Sequence, residues 1–274
     1  MKEDPPPTGG YPNFTQDRGA SSPPSTRDQI AAYLEADQTR LGDVYRMRLE
    51  GLSPQEMADR VGLPTVGFTY TYGQQLEALL DSKLPSGSAH IARQAAARSR
   101  TLQKSGRWSP GARSYLEELE AKLEAIGTDE VTTAREEGAA RTRTEEVESQ
   151  DVPGIYVYSL PHYLRFPFDP DRRHTLLKVG RSQVDVYRRT SQQGRTTALP
   201  EDPLLLRVYA TSADDAVGAE KYFHTFLEDA DHLRNRSSRA GREWFLTTTK
   251  FLDRLAKERG LAIEVVNDLD PAGD

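Results

Sequence analysis

Gly154-Ile155-Tyr156-Val157-Tyr158-Ser159-Leu160 and Leu176-Leu177-Lys178-Val179-Gly180 decide the reading of the C-terminal half. Both runs are short, rich in β-branched, aliphatic and aromatic residues, and bounded by Gly, Pro or Ser, the pattern of β-strands. The first strand is expected over Ile155–Leu160 and the second over Leu176–Gly180, with a loop over Pro161–His174 between them. Arg188 follows on a short helix-like run, Asp185–Gln193. A third strand reads over Leu204–Ala210. Glu220 sits in a helical pattern over Ala213–Leu227, whose buried side would hold Ala216, Ala219, Tyr222, Phe223, Phe226 and Leu227.

Trp244-Phe245-Leu246 reads as a short strand or turn, Phe251–Arg259 as a helix, and Ala262–Val266 as a closing strand. This order predicts an α+β domain over residues 151–267, a small mainly antiparallel sheet flanked by helices, with a tail over 268–274.

Toward the N-terminus the pattern becomes purely helical. Ile30, Tyr33 and Leu34 fall at helical spacing, and Val44, Tyr45, Met47 and Leu49 mark a second helix ending near Gly51. Ser53-Pro54-Gln55-Glu56 is a helix start: serine as N-cap, proline at N1, and a glutamate that reaches back from N3. Met57, Ala58 and Val61 line that helix and Gly62 ends it. Thr65 would cap the next, over Val66–Leu80. A helix, a glycine turn and a second helix resemble a helix-turn-helix DNA reader, with Thr65, Thr69 and Tyr70 among the side chains able to meet base edges or phosphates. Thr, Gly67 and Gly73 are poor helix formers, which leaves a helical packing or oligomerisation module as the other reading.

Ser82–Leu116 contains no acidic residue. Arg93, Arg100, Lys104 and Arg107 would share one helical face there and could follow a phosphate backbone. Ser109-Pro110 opens a further helix with Leu116, Leu119 and Leu123 as its stripe, which would also serve a homodimer. Residues 29–127 are therefore expected to form an all-α DNA-binding domain. Residues 1–28, rich in Pro, Gly, Ser and Thr, read as disordered. Residues 128–150, nearly without large apolar side chains, read as a linker with at most transient helix.

The 274 residues suit about two domains. The chain has no cysteine, which excludes disulfides and thiolate chemistry. A net charge of -6 leaves nucleic-acid contact to local patches. No apolar run approaches a membrane span, and Met1-Lys2-Glu3-Asp4-Pro5-Pro6-Pro7 is no secretory signal, so a soluble cytoplasmic protein without membrane contact is the default expectation.

Taken in order, Gly154-Ile155-Tyr156, Lys178-Val179-Gly180, Arg188 and Glu220 resemble the GIY-YIG nuclease superfamily over roughly residues 153–260. The likeness is to a phage- and fungal-type branch, which carries Lys-hydrophobic-Gly as its second triplet. That branch continues with Glu-x-x-x-His, here Glu220 to His224, and with Glu-Trp-Phe, here Glu243-Trp244-Phe245. The resemblance implies an endonuclease that hydrolyses DNA phosphodiester bonds with Mg²⁺ or Mn²⁺. It makes Tyr156 the candidate base or water-orienting group, Arg188 the transition-state arginine and Glu220 the metal ligand.

Hydrolysis of a phosphodiester needs an activated water and neutralisation of charge on the phosphorane, which a tyrosine, a guanidinium and a metal-bound carboxylate supply. Lys178 replaces the second tyrosine, and Gln192 stands where other branches carry a histidine. His224, one turn from Glu220, either substitutes for that histidine or is a structural residue beside Phe223. Arg234, Arg236 and Arg239 read as phosphate contacts or as a solvated loop. The two departures keep a second reading open: a DNA-binding or regulatory protein on a weak or inactive nuclease fold.

Overall fold

The computed structural model describes residues 23–63, 65–169, 174–181, 201–232 and 243–270. Seven helices run first: α1 Thr26–Ala36, α2 Arg40–Leu49, α3 Pro54–Val61, α4 Gly67–Asp81, α5 Ala89–Ser105, α6 Pro110–Gly127 and α7 Glu130–Glu148. An α+β half follows: β1 Gly154–Ser159, α8 Pro161–Arg165, β2 Thr175–Arg181, β3 Leu204–Ala210, α9 Ala216–Asp229, β4 Trp244–Thr247, α10 Thr249–Glu258 and β5 Ala262–Val265. No helix among the described residues is long and apolar enough to cross a membrane.

Local chemistry sets the helix ends. The Ser53 hydroxyl accepts from Glu56 N while the Glu56 carboxylate accepts from Ser53 N at 2.8 Å, the reciprocal cap read from the sequence. Gly62 closes α3 at φ 65°, a left-handed conformation that costs a glycine little. α4 starts differently from expectation. Its N-cap is Val66 rather than Thr65, and the Thr69 hydroxyl donates to Val66 O at 2.7 Å. Ser25 caps α1 with Asp28, so order begins before the 1–28 boundary.

α4 is the axis of the helical half. Phe68, Tyr72, Leu76 and Leu79 are buried, and α1, α2, α3, α5 and α6 all pack against it. Leu116, Leu119 and Leu123 of α6 lie in the same core. The stripe that would have served a homodimer is thus spent inside the chain.

The sheet runs β4-β2-β1-β3-β5, and every neighbouring pair is antiparallel. One face carries Ile155, Val157, Leu177, Val179 and Phe245, covered by Ala219, Phe223 and Leu227 of α9 and Leu252 and Leu255 of α10. Phe226 departs from the expected buried side of α9: it is exposed and packs on Tyr222 at 4.6 Å between ring centroids. The opposite face carries Tyr156, Tyr158, Leu205 and Val208, and Val147 of α7 packs on it. All six residues of β1 are consequently buried.

Residues 128–150 are therefore not a linker. They hold a helix whose Ala140, Thr144 and Val147, at i, i+4 and i+7, form a narrow buried seam on the sheet. Small side chains let the backbone approach closely, which is why large apolar residues are not needed there. The Pro161–His174 loop likewise contains the short helix α8. The tail read from residue 268 is anchored too: the buried Asp270 carboxylate accepts from Thr249 N and its hydroxyl at 2.6 and 2.7 Å, at the start of α10.

Polar groups lock α7 to the sheet. The β1–β3 register shifts between Val157 and Tyr158 and skips Leu206, and β5 pairs only with Arg207–Ala210 of β3, so Leu205 has no β5 partner on that side. Thr144 Oγ1 accepts from Leu205 N at 3.1 Å, and Asn267 Nδ2 donates to Leu205 O at 2.7 Å and to Ala140 O at 3.2 Å. Arg143 Nε donates to Asn267 Oδ1 at 2.8 Å, which completes the amide. Asn267→Ala orphans the buried Leu205 carbonyl and is expected to lower stability by about 2–4 kcal/mol, read from the denaturation midpoint at unchanged slope.

Candidate active site

The β1–β2 register sets Tyr156 opposite Gly180 and Tyr158 opposite Lys178. Strand alternation then puts Tyr156, Tyr158, Lys178 and Gly180 on one face, away from Val157, Leu177 and Val179. The two sequence triplets are thus brought together by pairing alone.

β4 ends beside this point. Val179 N donates to Glu243 O at 2.8 Å, after which Val179 O and Arg181 N meet side chains of α9. His224 Nε2 lies 2.8 Å from Val179 O, and Glu220 Oε1 accepts from Arg181 N at 3.4 Å. A carbonyl can only accept, so His224 carries its proton on Nε2, with its ring 5.0 Å from that of Phe245. The structure therefore commits His224 to the β2 edge through Nε2 and leaves only Nδ1 for other work. Glu220 Oε2 also pairs with Arg181 Nε at 3.5 Å.

Lys178 Nζ sits 3.3 Å from Glu243 Oε2. Gly180 explains how the carboxylates come so near. A Cβ built there would meet Glu243 Oε2 at 3.3 Å and Glu220 Oε1 at 3.6 Å. The glycine leaves room beside the Glu243 carboxylate, where a Cβ would be tight, while the Glu220 contact would be an ordinary one. Two ion pairs, Glu220 with Arg181 and Glu243 with Lys178, thus flank one vacant side-chain position.

Tyr156 is 5% exposed, and its hydroxyl donates to Val152 O at 2.7 Å. Its ring stacks on Tyr158 at 6.2 Å between centroids. The Tyr158 hydroxyl donates to Glu148 Oε1 at 2.8 Å, so the last turn of α7 reaches the tyrosine pair. Burial pushes the Glu148 carboxyl above its ordinary value; the Tyr158 hydrogen bond pulls it back, and Glu145 adds to the rise.

Arg188 and Gln192 lie outside the described residues, as do Arg234, Arg236 and Arg239. In the helical half, Thr69 is buried with its hydroxyl on Val66 O, whereas Thr65 and Tyr70 are exposed. Arg93 Nη1 donates to Gly127 O at 2.8 Å, and its other nitrogen lies 4.0 Å from Glu136. Arg100 pairs with Glu120 and Glu124 of α6. Of the stripe read as a phosphate track, Lys104 and Arg107 are exposed, while Arg93 and Arg100 hold helices together.

Sequence reasoning missed Arg181 and Glu148. The first adjoins the second triplet and was a legible cation. The second lies in the segment read as a linker and carried no signal of its own.

Residues 154–259, from the first residue of β1 to just past the end of α10, match the family model of the T5orf172 domain. That is a nuclease-like domain family, and the match makes DNA the class of substrate it suggests. No curated protein and no solved structure matches the chain.

Two outcomes follow from the geometry. Gly180→Ala fills the space between the carboxylates; it should fold normally by thermal denaturation yet lower any cleavage by about tenfold or more, because small displacements of reacting groups cost rate steeply. Glu148→Gln keeps an acceptor for Tyr158 without a charge at the C-terminal end of α7. An acid with a raised folded pKa loses stability as pH rises through the ordinary value to the raised one. The variant should therefore melt higher than the wild type at pH ~7, with the difference vanishing toward pH ~4, near the ordinary glutamate value.

Proposed function

We propose that the chain is a metal-dependent endonuclease that hydrolyses DNA phosphodiester bonds at the Gly180 cluster. What supports this reading is the pairing of Tyr156 with Gly180 across β1 and β2 and the approach of the Glu220 and Glu243 carboxylates to Gly180, with Lys178 on Glu243, inside the matched family segment. Lys178 and Arg181 offer cations to a phosphate, and Arg188, assigned by the GIY-YIG resemblance, would neutralise charge on the phosphorane. Tyr156, whose hydroxyl donates to Val152 O, would orient the attacking water.

The residues fit Mg²⁺ or Mn²⁺ in kind. Glu220 and Glu243 are hard oxygen donors that converge on one position, and Mg²⁺ takes one or two carboxylates with water and phosphate completing its shell. Among the described residues no group of three His, Asp or Glu offers a fuller cage. A divalent cation on Glu220 supplies Lewis-acid stabilisation of the phosphate. The helical half is proposed to contact the DNA backbone, with Lys104 and Arg107 as its exposed cations.

A DNA-binding or regulatory protein on an inactive nuclease fold is the second reading. The burial of Tyr156 beneath α7 and the lysine in place of a tyrosine favour it.

Nicking of supercoiled plasmid by the full-length protein, with Mg²⁺, with Mn²⁺ and with chelator, separates the two. Metal-dependent nicked product is expected, and Glu220→Gln, which keeps an acceptor for Arg181 N, and Arg188→Ala should each reduce it about 100-fold or more at unchanged melting temperature. Salt-sensitive DNA binding without metal-dependent product would establish the second reading instead.

A further inference from the structure

Lysine is a charged group on a flexible four-carbon stem and does not hold a direction by itself. Lys178 nonetheless occupies a defined place, and Glu243 defines it. Three observations bear on this. The Glu243 backbone is fixed, because its carbonyl takes the Val179 N–H and the next two residues, Trp244 and Phe245, are buried in β4. Its carboxylate meets the Lys178 ammonium at 3.3 Å. That side chain is 43% exposed, so the pair contributes little to folding and the core does not explain the residue.

The space beside Gly180 supplies the reason. The Glu243 and Glu220 carboxylates both approach the Cβ position of Gly180, at 3.3 and 3.6 Å, and the Lys178 ammonium reaches the same place through Glu243. We propose that Glu243 is a positioning residue: it holds the Lys178 ammonium beside Gly180, which Glu220 also approaches, and it acts on cleavage through Lys178. This rests on the nuclease reading given above for the Lys178 role in cleavage, but not for the anchoring itself.

Both parts are tested on the full-length protein. Steady-state nicking of Glu243→Gln should show kcat lowered about tenfold with KM within about twofold, and Glu243→Asp should recover part of the loss. In a Lys178→Met background, Glu243→Gln should cost nothing further; equal losses in both backgrounds would mean that Glu243 acts independently of Lys178 and would overturn the proposal.

The second measurement needs no activity. Reductive methylation by formaldehyde, quantified at Lys178 by mass spectrometry, should run several-fold faster in Glu243→Gln than in the wild type, with other lysines unchanged. Should the wild type fail to cut with either metal, the nuclease reading falls while this measurement still decides the anchoring. An unchanged methylation rate at Lys178 would overturn the proposal whatever the cleavage result.

Discussion

β1 is buried on both faces, and the rest of the molecule is arranged around that constraint. A central strand without a wet side needs a covering layer on each face. α9 and α10 provide one and α7 the other. Because β5 pairs with β3 only over Arg207–Ala210, the second layer has to satisfy the Leu205 backbone groups as well as bury side chains. Thr144 and Asn267 meet that demand, one from before the sheet and one from after it. A buried amide with every donor and acceptor engaged specifies a single arrangement, because any shift of α7 leaves several groups unpaired at once.

Much of this was legible in the residues, and the gaps have physical causes. Helix ends were readable because caps are local: Ser53 with Glu56, Gly62, and Ser109 with Pro110 act within one turn. Strands were readable because alternation is local too. α7 reads as no more than a transiently helical linker because its contact seam is made of Ala, Thr and one Val, and a hydrophobic pattern does not register small residues that pack closely. The partners of the basic stripe were hidden for the opposite reason. Arg93 and Arg100 look free along the chain, but Glu136, Glu120 and Glu124, far from them in sequence, meet them in space.

The site divides in the same way. Tyr156 and Lys178-Val179-Gly180 could be linked in the sequence only through the family resemblance, and their facing one another is set by the β1–β2 register. The roles of Arg181 and Glu243 could not, since both depend on where β4 ends along β2 and on which α9 side chains finish that edge. The residue type at 180 was visible from the start. Its purpose, room beside the Glu243 carboxylate, appears only once these elements are packed.

The rigidity of α7 has a consequence for scale. Its 19 residues span about 28 Å at the usual rise of an α-helix. The helix is fastened to α5 in its N-terminal half, through Glu136 with Ser88 and the His90 N–H, and to β1 and β3 in its last turns, through Glu148 and Thr144. It thus works as a ruler instead of a leash. The separation it sets between its α5 attachment and the sheet is a property of helix length, and it would change in steps as whole turns are added or removed.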